Sequence, residues 1–213
     1  NILMGSGSFS EKLLNILIIV FCVFLSLSVH EMSHGLAAYA VGDETAKRSG
    51  RLSLNPMQHL DPFGALCLFL FGFGWAKPVP VNPWNFRYKK LGMVITSFAG
   101  PLSNFVLAFL ACIGVVLLQG EGIMGLIATI CYYLVIYNLG LGLFNLIPVP
   151  PLDGSKIVGA ILPQRLYFKF MEYERYGFII LIILINTPFF SRFMGIARSA
   201  VISFFGMIIQ LFV

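Results

Sequence analysis

Charge is scarce in this chain. Of its 213 residues only 11% are Asp, Glu, Lys or Arg, 58% are hydrophobic, and the mean hydropathy is +0.89. Soluble domains carry about 25% charged residues, so a water-solvated globule is excluded and lipid is the expected solvent. Linkers and repeats are also missing: no Ser/Gly-rich stretch or charge block divides the sequence. Residues 1–213 therefore read as a single membrane domain. The four cysteines, Cys22, Cys67, Cys112 and Cys131, each sit in an apolar stretch and form no CxxC pair. That pattern excludes a disulfide frame and a thiolate metal site, and it leaves the compartment open. The first apolar run has no small-residue cleavage site, so it reads as a membrane helix and not as a removed signal peptide. The Gly/Ser-rich start, residues 1–8, reads as disordered or as a non-native leader.

Long apolar runs fill the rest. Residues 13–29 begin a helix whose pattern continues to residue 41, about 45 Å in all, and Gly42-Asp43 ends it. Residues 51–55 alternate like a strand and stop at Pro56. Residues 63–73 are apolar but about half the length of a span, which predicts a re-entrant element. With prolines at 78, 80 and 83, residues 74–83 cannot be helical and predict an extended edge or hairpin. Further apolar runs cover residues 91–118, 125–145, 176–185 and 193–213. The fold class expected is an all-α polytopic membrane protein. It should have about five transmembrane helices, with a re-entrant or β-hairpin element between the first and second.

The net charge of +5 does not signal nucleic acid, because the basic residues lie in short loops between apolar runs. If residues 63–73 re-enter, loops 42–61, 75–90 and 148–175 share one side. That side would hold 11 of the 14 Lys and Arg residues, which predicts that it is cytoplasmic and that the N-terminus is outside.

His30-Glu31-Met32-Ser33-His34 is an HExxH motif. Histidines at i and i+4 stack on one helix face, so both rings can reach one ion. Glu31 lies one residue round the helix, where a carboxylate can act as catalytic base. Zinc suits neutral imidazole ligands, and an acidic residue inside a membrane costs roughly 2.5–3.5 kcal/mol on insertion scales, which argues against a chance match. A catalytic zinc has three protein ligands, so a third must come from elsewhere. Asp43, Glu44, His59, Asp61 and Asp153 are the candidates. His30 lies about 30 Å along its helix, near the end where the run 125–145 also finishes. The proline-rich stretch after Asn145 can hold Asp153 at that depth, so Asp153 is the first choice and His59 the second. The alternative for Asp153 is an N-cap on the helix that follows it.

The stretch Asn145-Leu146-Ile147-Pro148-Val149-Pro150-Pro151-Leu152-Asp153-Gly154 reads N-x-x-P-x-P-P-L-D-G. Together with HExxH in a membrane helix, it resembles the site-2 protease family of intramembrane metalloproteases. Gly50 to Pro56 with His59 and Asp61, Gly74 to Asn82, and Gly100-Pro101-Leu102-Ser103-Asn104 are similar to a compact prokaryotic branch without a PDZ or regulatory domain. The matches run from residue 30 to residue 156, and the two terminal helices carry none. The resemblance implies one zinc per chain held by His30, His34 and Asp153, with Glu31 activating water. It places Asn104 and Asn145 near the site as substrate or oxyanion contacts, although buried amides also join helices. His59 and Asp61 read as a brace for their loop.

The expected activity is hydrolysis of peptide bonds in or near the transmembrane helix of membrane-protein substrates. Regulated intramembrane proteolysis and clearance of signal-peptide remnants are the two settings. The chain would be multi-pass in a prokaryotic plasma membrane, with its active site toward the cytoplasm. The partners are a substrate helix and the bilayer. An unpaired edge at residues 75–83, with Trp75, Val79 and Val81, is expected to clamp substrate as an extended strand in a small sheet. The rivals are a membrane zinc transporter, which normally shows repeats that are missing here, and an inactive helix-binding relative.

Overall fold

The computed structural model describes residues 8–59, 61–64, 67, 77–118, 120–163, 166, 170 and 174–212. The chain enters α1 (Phe9–Ala40) through a capping box. Ser8 Oγ accepts the Glu11 N–H, and the Glu11 carboxylate accepts the Ser8 N–H at 2.9 Å. Ser8 is thus an ordered helix cap, not part of a loose leader; residues 1–7 lie outside the described residues. At 1.5 Å per residue α1 is about 48 Å long. Gly42 ends it with φ +112°, a region that disfavours a side chain, and the Asp43 N–H closes back on the Ala38 carbonyl at 2.9 Å.

Two short helices follow, α2 (Thr45–Arg48) and α3 (Pro56–His59), then a 3-10 turn at Pro83–Asn85. The long helices α4 (Lys89–Leu117) and α5 (Ile123–Asn145) form an antiparallel pair against α1. Next come α6 (Asp153–Ile161), α7 (Glu174–Ile185) and α8 (Pro188–Ile209), with α8 laid on α5.

The interior is divided by chemistry. An apolar half joins Ile18 and Cys22 of α1, Ala108 and Ala111 of α4, Leu134, Val135 and Leu139 of α5 and Phe205 of α8. Small residues at these contacts let the backbones approach, which is how helices associate without a hydrophobic drive from lipid. A polar half buries Ser26, His30, His34, Thr96, Ser97, Asn104, Asn138 and Asp153. The outer surface is apolar, with Leu17, Phe21, Leu110 and Ile183 exposed. That inversion fits a bundle solvated by lipid.

The structure bears out the all-α class, and among the described residues there is no strand. Among the described residues four helices, α1, α4, α5 and α8, are long and apolar enough to cross a membrane. Of the expected fifth span the described residues show α7, 12 residues and about 18 Å. Thr187 stops it by capping α8, with Pro188 at the first helical position. The re-entrant element expected at 63–73 lies largely outside the described residues.

The expected sheet between residues 51 and 83 is not what the described residues form. Residues 77–82 run extended, but carboxylates and single carbonyls take their donors. The Asn82 N–H goes to Asp43 at 2.7 Å, the Val79 N–H to Glu31 at 2.8 Å and the Lys77 N–H to the His59 carbonyl at 2.8 Å. Asp43 is fully buried and also accepts the Thr45 N–H and hydroxyl and the Asn85 Nδ2. Burial alone would push its carboxyl up, yet these bonds from Thr45, Asn82 and Asn85 outweigh it and hold the group below the ordinary carboxylate range. Asp43 therefore ties the extended segment to the end of α1. Asp43→Ala strands several buried donors and should lower stability by about 2 kcal/mol. Glu44→Ala, which removes only an exposed ion pair with Arg48, should change it by less than about 0.5 kcal/mol. Thermal unfolding in detergent checks both, and equal melting of the two variants would contradict the anchor.

Candidate metal centre

Three buried side chains from two distant stretches converge. His30 Nε2 lies 3.0 Å from His34 Nε2, and Asp153 Oδ2 lies 3.1 Å from the first and 3.0 Å from the second. The histidines sit one turn apart on α1, as the HExxH spacing predicts. Asp153 arrives from 119 residues beyond His34 because the prolines after α5 end that helix and turn the chain into α6. The start of α6 then abuts the end of α5: a Cβ on Gly154 would collide with the Leu146 carbonyl. Gly100 of α4 is a second cradle, since a Cβ there would collide with the His34 ring and meet the His30 ring.

The hydrogen-bond pattern shows what the triad is for. His34 Nδ1–H donates to the Thr96 carbonyl at 2.7 Å, and His30 Nδ1–H donates to Asn104 Oδ1 at 2.6 Å. Both Nδ1 atoms therefore carry a proton, and in the neutral rings each Nε2 presents a lone pair. Two lone pairs and a carboxylate oxygen facing one another then have no proton between them, an arrangement that suits a shared cation. Lys156, paired with Asp153, favours its ionised form. Asp153 does not cap its helix: it is the first residue of α6, Leu152 precedes it as cap, and Asp153 Oδ1 accepts Lys156 Nζ at 3.0 Å.

The other third-ligand candidates are occupied elsewhere. Asp43 anchors the extended segment, and Glu44 pairs with Arg48 on the surface. His59 is buried with Nε2 donating to the Ser53 carbonyl at 2.7 Å, and Asp61 accepts the Gly64 N–H. His59 and Asp61 each brace the loop separately, without the mutual pair expected.

A cavity of about 820 Å³ opens on the triad and is lined by Glu31, Val79, Val81, Leu141, Phe144, Asn145, Phe178 and Leu181 among others. Its size and largely apolar lining are those of a ligand-binding cavity. Glu31 faces it with Oε2 held by the Val79 amide. Asn145 also lines it, with one Nδ2 hydrogen on the Leu141 carbonyl. Asn104 is fully buried and does not line the cavity. Both sides of its amide are spent on His30, Asn138 and Ser26, so the expected substrate contact gives way to an internal one. Trp75 lies outside the described residues. Asn138 and Ser26 escaped the sequence reading, although an amide in mid-helix and a serine one turn before His30 were visible signals.

Comparison with known proteins agrees. The family model for peptidase family M50 matches residues 123–185. YwhC of Bacillus subtilis (strain 168), a candidate zinc metalloprotease, is 40% identical over 203 residues, 90% of this chain and 92% of YwhC. This chain belongs to peptidase family M50, the site-2 protease family. Rip2 of Mycolicibacterium smegmatis, of the same description, is 27% identical over 79% of this chain and 66% of its own length. The Synechocystis relative sll0528 is 30% identical over 70% of this chain but only 32% of its own length. No solved structure matches. Family and triad together identify a zinc metalloprotease of membrane type.

Gly154→Ala should push Asp153 off the histidines, and zinc affinity should fall at least ~10-fold, as for a disturbed ligand shell. Gly195→Ala, in open space on α8, should leave it unchanged. Chelator competition measures both; wild-type affinity in Gly154→Ala would mean that the carboxylate position is not set by this contact.

Proposed function

We propose that the chain is an intramembrane zinc metalloendopeptidase, a single domain that hydrolyses peptide bonds in or near the transmembrane helix of membrane-protein substrates. The observation that carries this reading is the convergence of His30 Nε2, His34 Nε2 and Asp153 Oδ2 inside an apolar bundle, beside a carboxylate that is not part of the triad. Zinc held by those three residues supplies a Lewis acid and acidifies water at neutral pH.

The chain's own groups do the rest. Glu31 takes the proton from the attacking water and delivers it to the leaving amine. The Val79 amide holds Glu31 Oε2 at 2.8 Å, which leaves Oε1 for the water. The second Nδ2 hydrogen of Asn145 is available to a carbonyl oxygen as charge develops there. A peptide bond in a helix is shielded by its own hydrogen bonds, and an opened strand in lipid strands each N–H and C=O at several kcal/mol. The extended segment at 77–82 supplies partners. Its Val79 amide is spent on Glu31, but the Val81 amide has no protein partner among the described residues, so Val81 is the contact point for a substrate strand. Loop charge supports a cytoplasmic site in a prokaryotic plasma membrane. The substrates fit either regulated intramembrane proteolysis or signal-peptide remnant clearance.

A zinc transporter or an inactive relative would hold the same metal without cutting. Purified protein in micelles, given a substrate whose transmembrane helix carries Gly or Asn at the cut, should cleave it, and a chelator should abolish cleavage. Glu31→Gln should keep zinc and lose at least ~10²-fold in rate. In the Glu31→Gln background a cysteine at Val81 should crosslink to substrate. Zinc flux into proteoliposomes without cleavage would favour transport; near-normal turnover by Glu31→Gln would assign the base elsewhere.

A further inference from the structure

The Gly100-Pro101-Leu102-Ser103-Asn104 stretch gives the histidines space through Gly100 and an acceptor for His30 Nδ1 through Asn104. We infer that Asn104 is a positioning residue that sets the tautomer and ring orientation of His30, and that Asn138 and Ser26 hold Asn104 in the one orientation that does so. The inference rests on the reading of His30 as a zinc ligand.

The direction of each bond can be followed from the backbone outward. The Ser26 hydroxyl donates to the Cys22 carbonyl at 2.6 Å, and a carbonyl can only accept. Ser26 Oγ is left to accept, and Asn138 Nδ2 donates to it at 2.7 Å while also donating to the Leu134 carbonyl at 2.9 Å. That fixes Asn138 Oδ1 as the acceptor for Asn104 Nδ2 at 2.7 Å, and the same Nδ2 donates to the Ser26 carbonyl at 3.3 Å. Asn104 Oδ1 is then the atom that faces His30 Nδ1 at 2.6 Å. Flipping Asn138 would set like on like at three contacts, and flipping Asn104 would set an oxygen against both Asn138 Oδ1 and the Ser26 carbonyl. Ser26, Asn104 and Asn138 are all fully buried, so water cannot repair such a fault.

The outcome is that His30 must carry its proton on Nδ1, with the Nε2 lone pair turned toward His34 and Asp153. His34 obtains the same result from a backbone carbonyl, that of Thr96, which no side-chain substitution removes. His30 depends on the Asn104 side chain, whose amide is fixed in turn by Asn138 and the Ser26 carbonyl, and on three helices keeping their register. Outer partners of metal-ligating histidines raise affinity by orienting the ring, typically 10–100-fold.

The test is metal affinity and spectrum, not turnover. Zinc affinity is measured by chelator competition, and the visible spectrum of the cobalt-loaded protein reports ligand geometry. Asn104→Leu keeps the volume and removes the acceptor; it should bind zinc ~10–100-fold more weakly and alter the cobalt bands. Asn138→Leu keeps the Asn104 acceptor but removes the partner that orients it, and should weaken zinc ~3–10-fold with altered cobalt bands. His30→Ala should lose most zinc. Wild-type affinity and cobalt bands in Asn104→Leu, with zinc lost from His30→Ala, would overturn the positioning role and leave the ligand reading intact. Wild-type affinity in His30→Ala would overturn the ligand reading and this inference with it. If Asn104→Leu fails to fold, Asn138→Leu decides: weakened zinc with altered cobalt bands supports the role, and wild-type affinity and bands overturn it.

Discussion

Three acceptor atoms that meet without a proton between them organise this molecule. His30 Nε2, His34 Nε2 and Asp153 Oδ2 repel one another unless a cation joins them. Holding them together in an apolar bundle requires that each be turned and pinned by something else. Thr96 turns His34, Asn104 turns His30, and Lys156 steadies Asp153. Glycines at 100 and 154 remove the side chains that would keep the parts from closing. The division of the interior follows from the same demand. The apolar half locks α1, α4, α5 and α8 so that the polar half can keep its bonds.

The extended segment at 77–82 belongs to the same arrangement from the other side. Its prolines prevent helix, and its donors are claimed at intervals by Asp43, Glu31 and the His59 carbonyl. Among the described residues it has no strand partner. One of those anchors is the carboxylate proposed as base, so the segment proposed to meet substrate and that base are linked through the Val79 amide.

The histidine pair was legible because helical period alone puts i and i+4 on one face. Asp153 was legible as a first choice from depth and proline stiffness, but only the resemblance to a family separated it from His59. The described part of the expected hairpin forms no strand pair. Alternation and prolines report an extended backbone, and they do not say whether its donors meet a strand or isolated carboxylates. Among the described residues the fifth apolar run is a 12-residue helix, which Thr187 and Pro188 end by starting a new one. Asn104 was expected to meet substrate, and its amide oxygen instead faces His30: a sequence shows that an amide is buried but not which way it faces.

X-ray absorption at the zinc edge tests the central claim most directly. The account predicts a shell of nitrogen and oxygen only, at about 2.0–2.2 Å, with scattering from two imidazoles and no sulfur. Scattering near ~2.3 Å from a thiolate, or from one imidazole alone, would contradict it.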